Sequence, residues 1–336
     1  MIKVSINCLA YNHEKYIKDA LDGFLSQKTD FEYEVLIHDD ASTDKTADII
    51  REYEKRYPHI IKPIYQTENQ YSKGIRPTFA YNLPRAQGRY IALCEGDDYW
   101  TDPLKLQKQV DLLEKDPAVA VCAHNYDIRT MRPDGSSFME RPLCRIAARS
   151  YSTAEIIAKG MFVKTASLVF RRALIEEMLA DIEYHLGFRV GDYPLLFFLS
   201  TKGPLHVLEE SMSVYRKNLS SAWNPLDARK KFLVSIETYE RLLSRYPDFR
   251  KELERRISVC RMFLLKSLLD TGDLSQFLET LRKDIAASSS PSYACICHLA
   301  YFLIVRYLVD AISFGIRKVR RIGAILFSLF LPRGSA

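Results

Sequence analysis

Three carboxylates stand within four residues at Glu95-Gly96-Asp97-Asp98, directly after the apolar run Tyr90-Ile91-Ala92-Leu93-Cys94. Carboxylates that close repel one another unless a cation or a proton sits among them. A compact set of hard oxygen donors suits Mg²⁺ or Mn²⁺, which take one or two protein carboxylates and complete their shell from phosphate and water. The competing reading is a solvated turn followed by a helix cap. Thr101-Asp102-Pro103 already supplies a cap, with a capping side chain before proline at the first helical position. The three upstream acids are therefore left without a structural task.

A second acidic group, His38-Asp39-Asp40-Ala41-Ser42-Thr43-Asp44, follows the run Glu34-Val35-Leu36-Ile37. Ser42, Thr43 and Asp44 are all good helix caps. That leaves Asp39 and Asp40 at a strand end, where a carboxylate can accept from a base N–H or a ribose hydroxyl. The third acid is Asp192, in Gly191-Asp192-Tyr193-Pro194. From local sequence it reads equally as a helix cap and as a catalytic acid or base.

The elements that must position these groups alternate. Lys3 to Ala10 reads as a buried strand, Glu14 to Gln27 as a helix, Glu34 to His38 as a strand, and Asp44 to Tyr57 as a helix stopped by Pro58. Ile60 to Tyr65 and Arg89 to Cys94 read as further strands, with a loop and short helix between them. Strand–helix–strand alternation on short links predicts a mainly parallel sheet covered by helices. Ligands of such sheets bind beyond the carboxyl ends of the strands. Here those ends are Tyr11-Asn12-His13, Asp39-Asp40 and Glu95-Gly96-Asp97-Asp98.

Downstream, a helix is expected from Thr101-Asp102-Pro103 to Pro117, with Leu106, Val110 and Leu113 facing inward. Val119 to Ala123 and Lys164 to Arg171 read as strands, separated by an excursion that turns at Pro133-Asp134-Gly135. A helix follows Gly191, then extended chain from Leu205 to Tyr215, then a helical pattern from Asp227 to about Ala287. Trp100 and Tyr99 read as core, or as a wall beside a sugar. Arg216 and Lys73 read as phosphate contacts or as solvated surface cations.

The chain has 48 basic and 42 acidic residues, a formal charge of +6. Between Pro291 and Ala336 six basic residues face only Asp310, so the last 46 residues carry +5 and the other 290 carry +1. A near-neutral body with a basic, apolar tail does not suit a nucleic-acid binder. The seven cysteines are odd in number and scattered, which fits reduced, buried thiols in a cytosolic setting. The apolar stretch at the N-terminus is too short for a signal peptide.

Taken together, VSINCLAYNHEKYI, EVLIHDDASTDKT, GRYIALCEGDDYWTDPLKLQKQVDLLE, GDYPLLFFLSTKG and SMSVYR resemble family 2 glycosyltransferases of the nucleotide-sugar-binding GT-A fold. The extended EGDDYWTDPLKLQ form is similar to bacterial enzymes that build capsular and other surface polysaccharides. The resemblance covers residues 1 to about 216. It implies an α/β GT-A (Rossmann-like) mixed sheet flanked by helices and an inverting sugar transfer from a nucleotide-sugar donor, a UDP-sugar first. The acceptor it implies is a glycan or lipid-linked saccharide. It further implies that Ala10, Tyr11, Asn12 and Asp40 hold the base, and that Asp97 lies at the ribose and diphosphate. Asp98 would be the principal ligand of Mn²⁺ or Mg²⁺, Glu95 would take the place of the first acid of a D-x-D, and Asp192 would be the general base. The chain departs from the family pattern at Glu95, which stands for Asp, at Gly191, which stands for an acid, and at Asn218, where a His often follows the Tyr-Arg pair. No late metal ligand is assigned.

Three regions are expected: a catalytic domain over 1–220, a helical extension over 221–290 and a tail over 291–336. Tyr293 to Phe314 is long enough to span a bilayer, at about 33 Å as a helix. Its ten Leu, Ile, Val and Phe residues contribute roughly −3 to −6 kcal/mol on the insertion scale, whereas Arg306 and Asp310 cost about +5 to +7. Spanning is not favoured. An amphipathic helix on an anionic leaflet, with Arg317 to Arg321 at the surface, fits the pattern and implies a cytoplasmic protein peripheral to the membrane. A helical hairpin packed on the body is the alternative.

Two other functional classes compete. A sugar nucleotidyltransferase needs a glycine-rich triphosphate loop after the first strand, and Leu9 to Tyr16 contains no glycine. A catalytically inactive, glycosyltransferase-like scaffold is the other; it is disfavoured by the intact Asp40, Asp97, Asp98 and Asp192.

Overall fold

The strands β1 (Val4–Ala10), β2 (Tyr33–Asp39), β3 (Ile61–Tyr65) and β4 (Tyr90–Leu93) pair in parallel in the order β3-β2-β1-β4. β1, β2 and β4 are buried almost throughout, as expected for strands covered on both faces. Helix α1 (Ile17–Leu25) turns Ile17, Ala20, Leu21 and Phe24 inward, and α2 (Thr46–Arg56) contributes Ile50 and Tyr53 to the same core. This structure, a computed structural model, describes residues 1–142, 144–181, 184, 187–218, 228–271, 276–277 and 279–280.

The sheet continues from β4 through β9 (Val169–Arg171), β6 (Val121–Met131), β10 (Leu205–Lys217) and β5 (Tyr99–Trp100) to a total of ten strands. A helical turn, α3 (Leu83–Arg85), leads into β4. β5 (Tyr99–Trp100) pairs antiparallel with β10 (Leu205–Lys217), which runs parallel to β6 (Val121–Met131). The hairpin from β6 to β7 (Ser137–Glu140) turns at Pro133-Asp134-Gly135, where Gly135 has φ 84°. β8 (Ser150–Tyr151) edges β10, and β9 (Val169–Arg171) lies antiparallel between β4 and β6. The sheet is thus parallel at the β3-to-β4 end and mixed beyond it, matching the expected α/β architecture.

Helices α4 (Lys105–Lys115), α5 (Thr153–Lys159), α6 (Glu176–Ala180) and α7 (Asp192–Thr201) complete the cover. Leu106, Val110 and Leu113 face the core as the pattern predicts. Trp100 is core: its ring meets Phe24 edge-on at 4.8 Å and its indole N–H donates to the Ala166 carbonyl.

Several local expectations are corrected. Asp102 does not cap α4, which starts at Lys105. The Asp102 carboxylate instead accepts from the Leu104 N–H and pairs with Lys108, so the chain makes one more turn first. The strand expected over Lys164 to Arg171 is confined to its last three residues, because Thr165–Ser167 forms a 3₁₀ turn. Ser42 and Thr43 do not cap α2, whereas Asp44 does bond the helix start: its Oδ1 accepts from the Thr46 N–H at 2.9 Å. Cys8, Cys94, Cys122 and Cys260 are buried free thiols, but Cys144 is exposed.

The chain divides into two compact units. One comprises Met1–Leu226 with Glu240–Leu253 and carries the sheet. Helix α8 (Ala228–Arg245) ends in this unit, where Tyr246 and Phe249 pack edge-on against Phe197. The other unit holds the start of α8 and most of α9 (Arg250–Asp270), with Phe232 and Phe263 stacked at 5.8 Å. Among the described residues no helix is long and apolar enough to cross a membrane. The tail over 291–336 lies outside the described residues.

Candidate active site at the strand ends

Because β1, β2 and β4 run parallel, their carboxyl ends open on one edge of the sheet. The β1 and β2 loops are laced together there. Ser42 Oγ accepts from the Asn12 N–H (2.9 Å), Thr46 Oγ1 from the His13 N–H (2.7 Å) and Asp44 Oδ2 from the Glu14 N–H (3.0 Å). Asn12 Oδ1 accepts in return from the Thr43 N–H at 2.8 Å. The supposed caps therefore form a clamp between loops. Asn12 (φ 55°) and Ala41 (φ 62°) both sit in the left-handed region, a conformation that costs a non-glycine residue of order 1 kcal/mol or more.

The expected base-binding residues lie in and beside this clamp. Ala10 is buried and its carbonyl accepts from the Asp40 N–H, while Tyr11 is 45% exposed. The Asp40 carboxylate is engaged on both oxygens, taking the N–H groups of Gln70 (2.8 Å) and Tyr71 (3.0 Å). Its neighbour Asp39 keeps a buried Oδ1 with no hydrogen-bond partner. Burial pushes the Asp39 carboxyl up from its ordinary range.

At the end of β4 the chain stays against β1: Cys94 N donates to the Asn7 carbonyl and Gly96 N to the Leu9 carbonyl. A side chain at Gly96 would meet Ile17 Cδ1 at 2.9 Å, His13 Nδ1 at 3.0 Å and the Leu9 carbonyl at 3.1 Å, so these neighbours would have to move to admit one. That approach sets Asp97 and Asp98, 8% and 5% exposed, beside the β1 loop. The β5–β10 pairing then brings in residues about 120 positions further along the chain. The Arg216 N–H donates to Asp98 Oδ1 (2.8 Å), its guanidinium to the Asp97 carbonyl (2.9 Å) and to Asp19, and Asn218 Nδ2 to Asp97 Oδ2 (2.9 Å). The Arg216 guanidinium also stacks on Tyr99 and Tyr16. Arg216 is thus a strut beneath the acids and not an open phosphate contact. Lys73 is likewise engaged, by Glu68.

The charges here are unresolved. Burial, with the Asp97 charge next, pushes the Asp98 carboxyl well above its usual range. Glu95 is exposed to solvent in the cleft, yet crowding by protein and the charges of Asp97 and Asp192 push it up to about 8. Asp192 heads α7 behind Gly191 and makes no capping bond across the turn; its Oδ1 takes only the adjacent Tyr193 N–H. Burial raises its carboxyl too, and that N–H and the Lys164 charge offset part of the rise. The fold therefore brings Glu95, Asp97, Asp98 and Asp192 into one electrostatic cluster. Sequence reasoning missed Lys164, which lies within electrostatic reach of both Asp98 and Asp192.

No group of three or more His, Cys, Asp or Glu side chains among the described residues is arranged to hold a metal ion. The donor set still suits a hard cation that draws the rest of its shell from phosphate. Glu95 has no hydrogen-bonded partner on its carboxylate among the described residues, and Asp98 is engaged only through Oδ1.

The profile of glycosyl transferase family 2 matches residues 5–177. The chain belongs to glycosyl transferase family 2. Among curated relatives of this family 2 member, the uncharacterized protein Rv1520 of Mycobacterium tuberculosis is 40% identical over 234 residues, covering 68% of this chain and 63% of the relative. The chain thus spans somewhat under two thirds of that relative's length. Escherichia coli WfaP, a UDP-Glc:alpha-D-GlcNAc-diphosphoundecaprenol beta-1,3-glucosyltransferase, is 38% identical over 111 residues, 33% of this chain and 41% of WfaP. Among solved structures, the mannosyltransferase PcManGT of Pyrobaculum calidifontis, in complex with GDP-Man and Mn²⁺, superposes with a TM-score of 0.56 over 95% of this chain and 82% of its own. Its 16% identity carries the fold alone, and that fold is the GT-A one.

Proposed function

We propose that this chain is an inverting glycosyltransferase that moves a sugar from a nucleoside-diphosphate donor, a UDP-sugar, to a hydroxyl of a glycan or lipid-linked saccharide during surface-polysaccharide assembly. The observation that carries this reading is the single cluster of Glu95, Asp97 and Asp98 with Asp192, drawn from the end of β4 and the start of α7. WfaP uses a UDP-sugar and a lipid-linked acceptor by its name, which supports the choice of both.

In this reading Tyr11, Asn12 and the Ala10 end of β1 wall the base. Asp40 Oδ1 takes the Gln70 N–H and lies 3.3 Å from His38 Nε2, but Oδ2 takes only the Tyr71 N–H and can still receive a base N–H. Asp97, braced by Asn218, faces the ribose and diphosphate. Asp98 and Glu95 hold Mn²⁺ or Mg²⁺, whose chemistry when bound is to offset negative charge on the departing diphosphate. Asp192 accepts the proton of the acceptor hydroxyl as its oxygen bonds to the anomeric carbon. The bond from that carbon to the diphosphate oxygen breaks in the same displacement, the electron pair leaves with the nucleoside diphosphate, and the anomeric configuration inverts. The tail over 291–336 docks this activity on an anionic membrane face, supported by its +5 charge beside apolar sequence.

The test is turnover of UDP-sugars on lipid-linked acceptors, with the product's anomeric configuration read by NMR. An inverted glycoside that disappears in Asp192→Asn is expected. A retained configuration, or full activity in that variant, contradicts the proposal.

A further inference from the structure

The cations around the strand ends differ in what already holds them. Arg216 is bonded to the Asp97 carbonyl and Asp19, Lys73 to Glu68, and Arg76 to the carbonyls of Phe188 and Arg189. Lys217 donates to Glu140 at 3.4 Å. Lys164 is unlike these. It stands just before the 3₁₀ turn that leads into β9, half-buried, and its ammonium donates to no described residue. Two aromatic faces flank it instead, Tyr215 of β10 at 4.3 Å and Tyr126 of β6 at 5.5 Å. Tyr215 precedes Arg216, whose N–H is bonded to Asp98 at 2.8 Å, so the ammonium sits next to the acidic site, and its charge acts on both Asp98 and Asp192.

Those two carboxylates mark the two sides of the transfer, the cation-held diphosphate and the attacking hydroxyl. An ammonium that acts on both carboxylates is suited to act on the bond that breaks. Resting on the glycosyl-transfer reading, we propose that Lys164 binds the β-phosphate of the donor and stabilises the charge that builds there as the sugar leaves. A preorganised charge in a half-buried cleft acts most strongly on charge that develops during the reaction. The tyrosine faces supply cation–π attraction that holds the ammonium in place before any substrate arrives. Lysine suits this task as a compact charge with three rotatable donors that can follow phosphate oxygens as they move. Among the described residues Arg216, Lys73 and Arg76 are held by protein acceptors, whereas the Lys164 ammonium, like the Arg129 Nε beside Tyr99, keeps donors open.

The discriminating experiment compares nucleoside diphosphates with monophosphates, since the two differ at the β-phosphate. Calorimetry with Mn²⁺ is run on wild type, Lys164→Met and Lys164→Arg, using UDP with UMP and GDP with GMP. The wild type is expected to prefer a diphosphate. Lys164→Met, similar in shape but uncharged, should lose about ten- to a hundredfold of that preference, as removal of a charge-assisted hydrogen bond implies. Its monophosphate affinity should stay near wild type, which also shows that the pocket is folded. Lys164→Arg should recover most of the preference. A Lys164→Met protein that keeps the full preference overturns the β-phosphate assignment and moves Lys164 to the acceptor side. A wild type with no diphosphate preference in either pair overturns the glycosyl-transfer reading itself.

Discussion

Two strand ends of this protein carry similar acids in opposite circumstances. After β2, Asp40 and Asp44, unlike their neighbour Asp39, are well supplied with donors, and at Asp44 burial is outweighed by the Thr46 hydroxyl and the Glu14 and Thr46 N–H groups, which hold the carboxyl below its usual range. After β4, burial and mutual repulsion push Glu95 and Asp98 upward, and the protein supplies too few donors to resolve them. Acidic residues whose lone pairs are met by the chain build structure. In the proposed reading, the acids left in conflict with one another after β4 serve a ligand that arrives from outside.

The contrast can be broken by exchanging the expected consequences. Asp98→Ala should cost the largest effect, a loss of activity of at least 10²–10⁴-fold, with thermal stability unchanged or raised because a strained buried charge is removed. Asp192→Asn should lower kcat by about 10²–10⁴-fold and leave UDP affinity near wild type, since in the proposed mechanism this group acts on the acceptor proton. Steady-state kinetics and calorimetry on the two variants check both. A destabilised, active Asp98→Ala protein would erase the distinction between the two strand ends.

Asp44→Ala should behave in the reverse sense. It removes the acceptor of the Glu14 and Thr46 N–H groups, and about 1–3 kcal/mol of stability should be lost in chemical denaturation. The sign with pH follows from its lowered carboxyl: the Asp44 contribution is complete above the unfolded value near 4 and fades as pH falls through the lower folded value. The stability difference between wild type and variant should therefore shrink in acid.

The smallest effect concerns a buried charge at neither strand end. Lys105 is fully buried above the Trp100 ring, its ammonium lacks a hydrogen-bond partner, and burial lowers it to about 7. The unfolded chain keeps that proton up to about 10.4, so wild-type stability should rise as pH increases from about 7 toward 10. Lys105→Met should stabilise the protein at pH 7 by on the order of 1 kcal/mol and flatten that rise, as read by denaturation at several pH values.

The strands that form the parallel part of the sheet were legible because each is a continuous apolar run bounded by polar loops. The acids at their ends were legible for the same reason. Local pattern misplaced the start of α4, since Thr101-Asp102-Pro103 reads as a cap while Asp102 is drawn to the Leu104 N–H and to Lys108. It read Ser42 as a cap and gave Asp44 its bond to the start of α2 alone, because the loop both residues also hold lies some 30 residues away. Arg216 and Asn218 brace Asp97 and Asp98 across about 120 residues, through the β5–β10 register. Lys164 has no signature at all in its own segment. Such contacts are set by topology, and no window of sequence contains both partners.

The most direct test of the contrast is calorimetric titration of UDP into wild type, Asp98→Ala and Asp44→Ala, each with and without Mn²⁺. The expected result is binding that Mn²⁺ strengthens in the wild type and in folded Asp44→Ala, and that Asp98→Ala no longer couples to the metal. Metal-dependent binding that survives in Asp98→Ala, or is lost in folded Asp44→Ala alone, would show that the working acids lie at the other strand end.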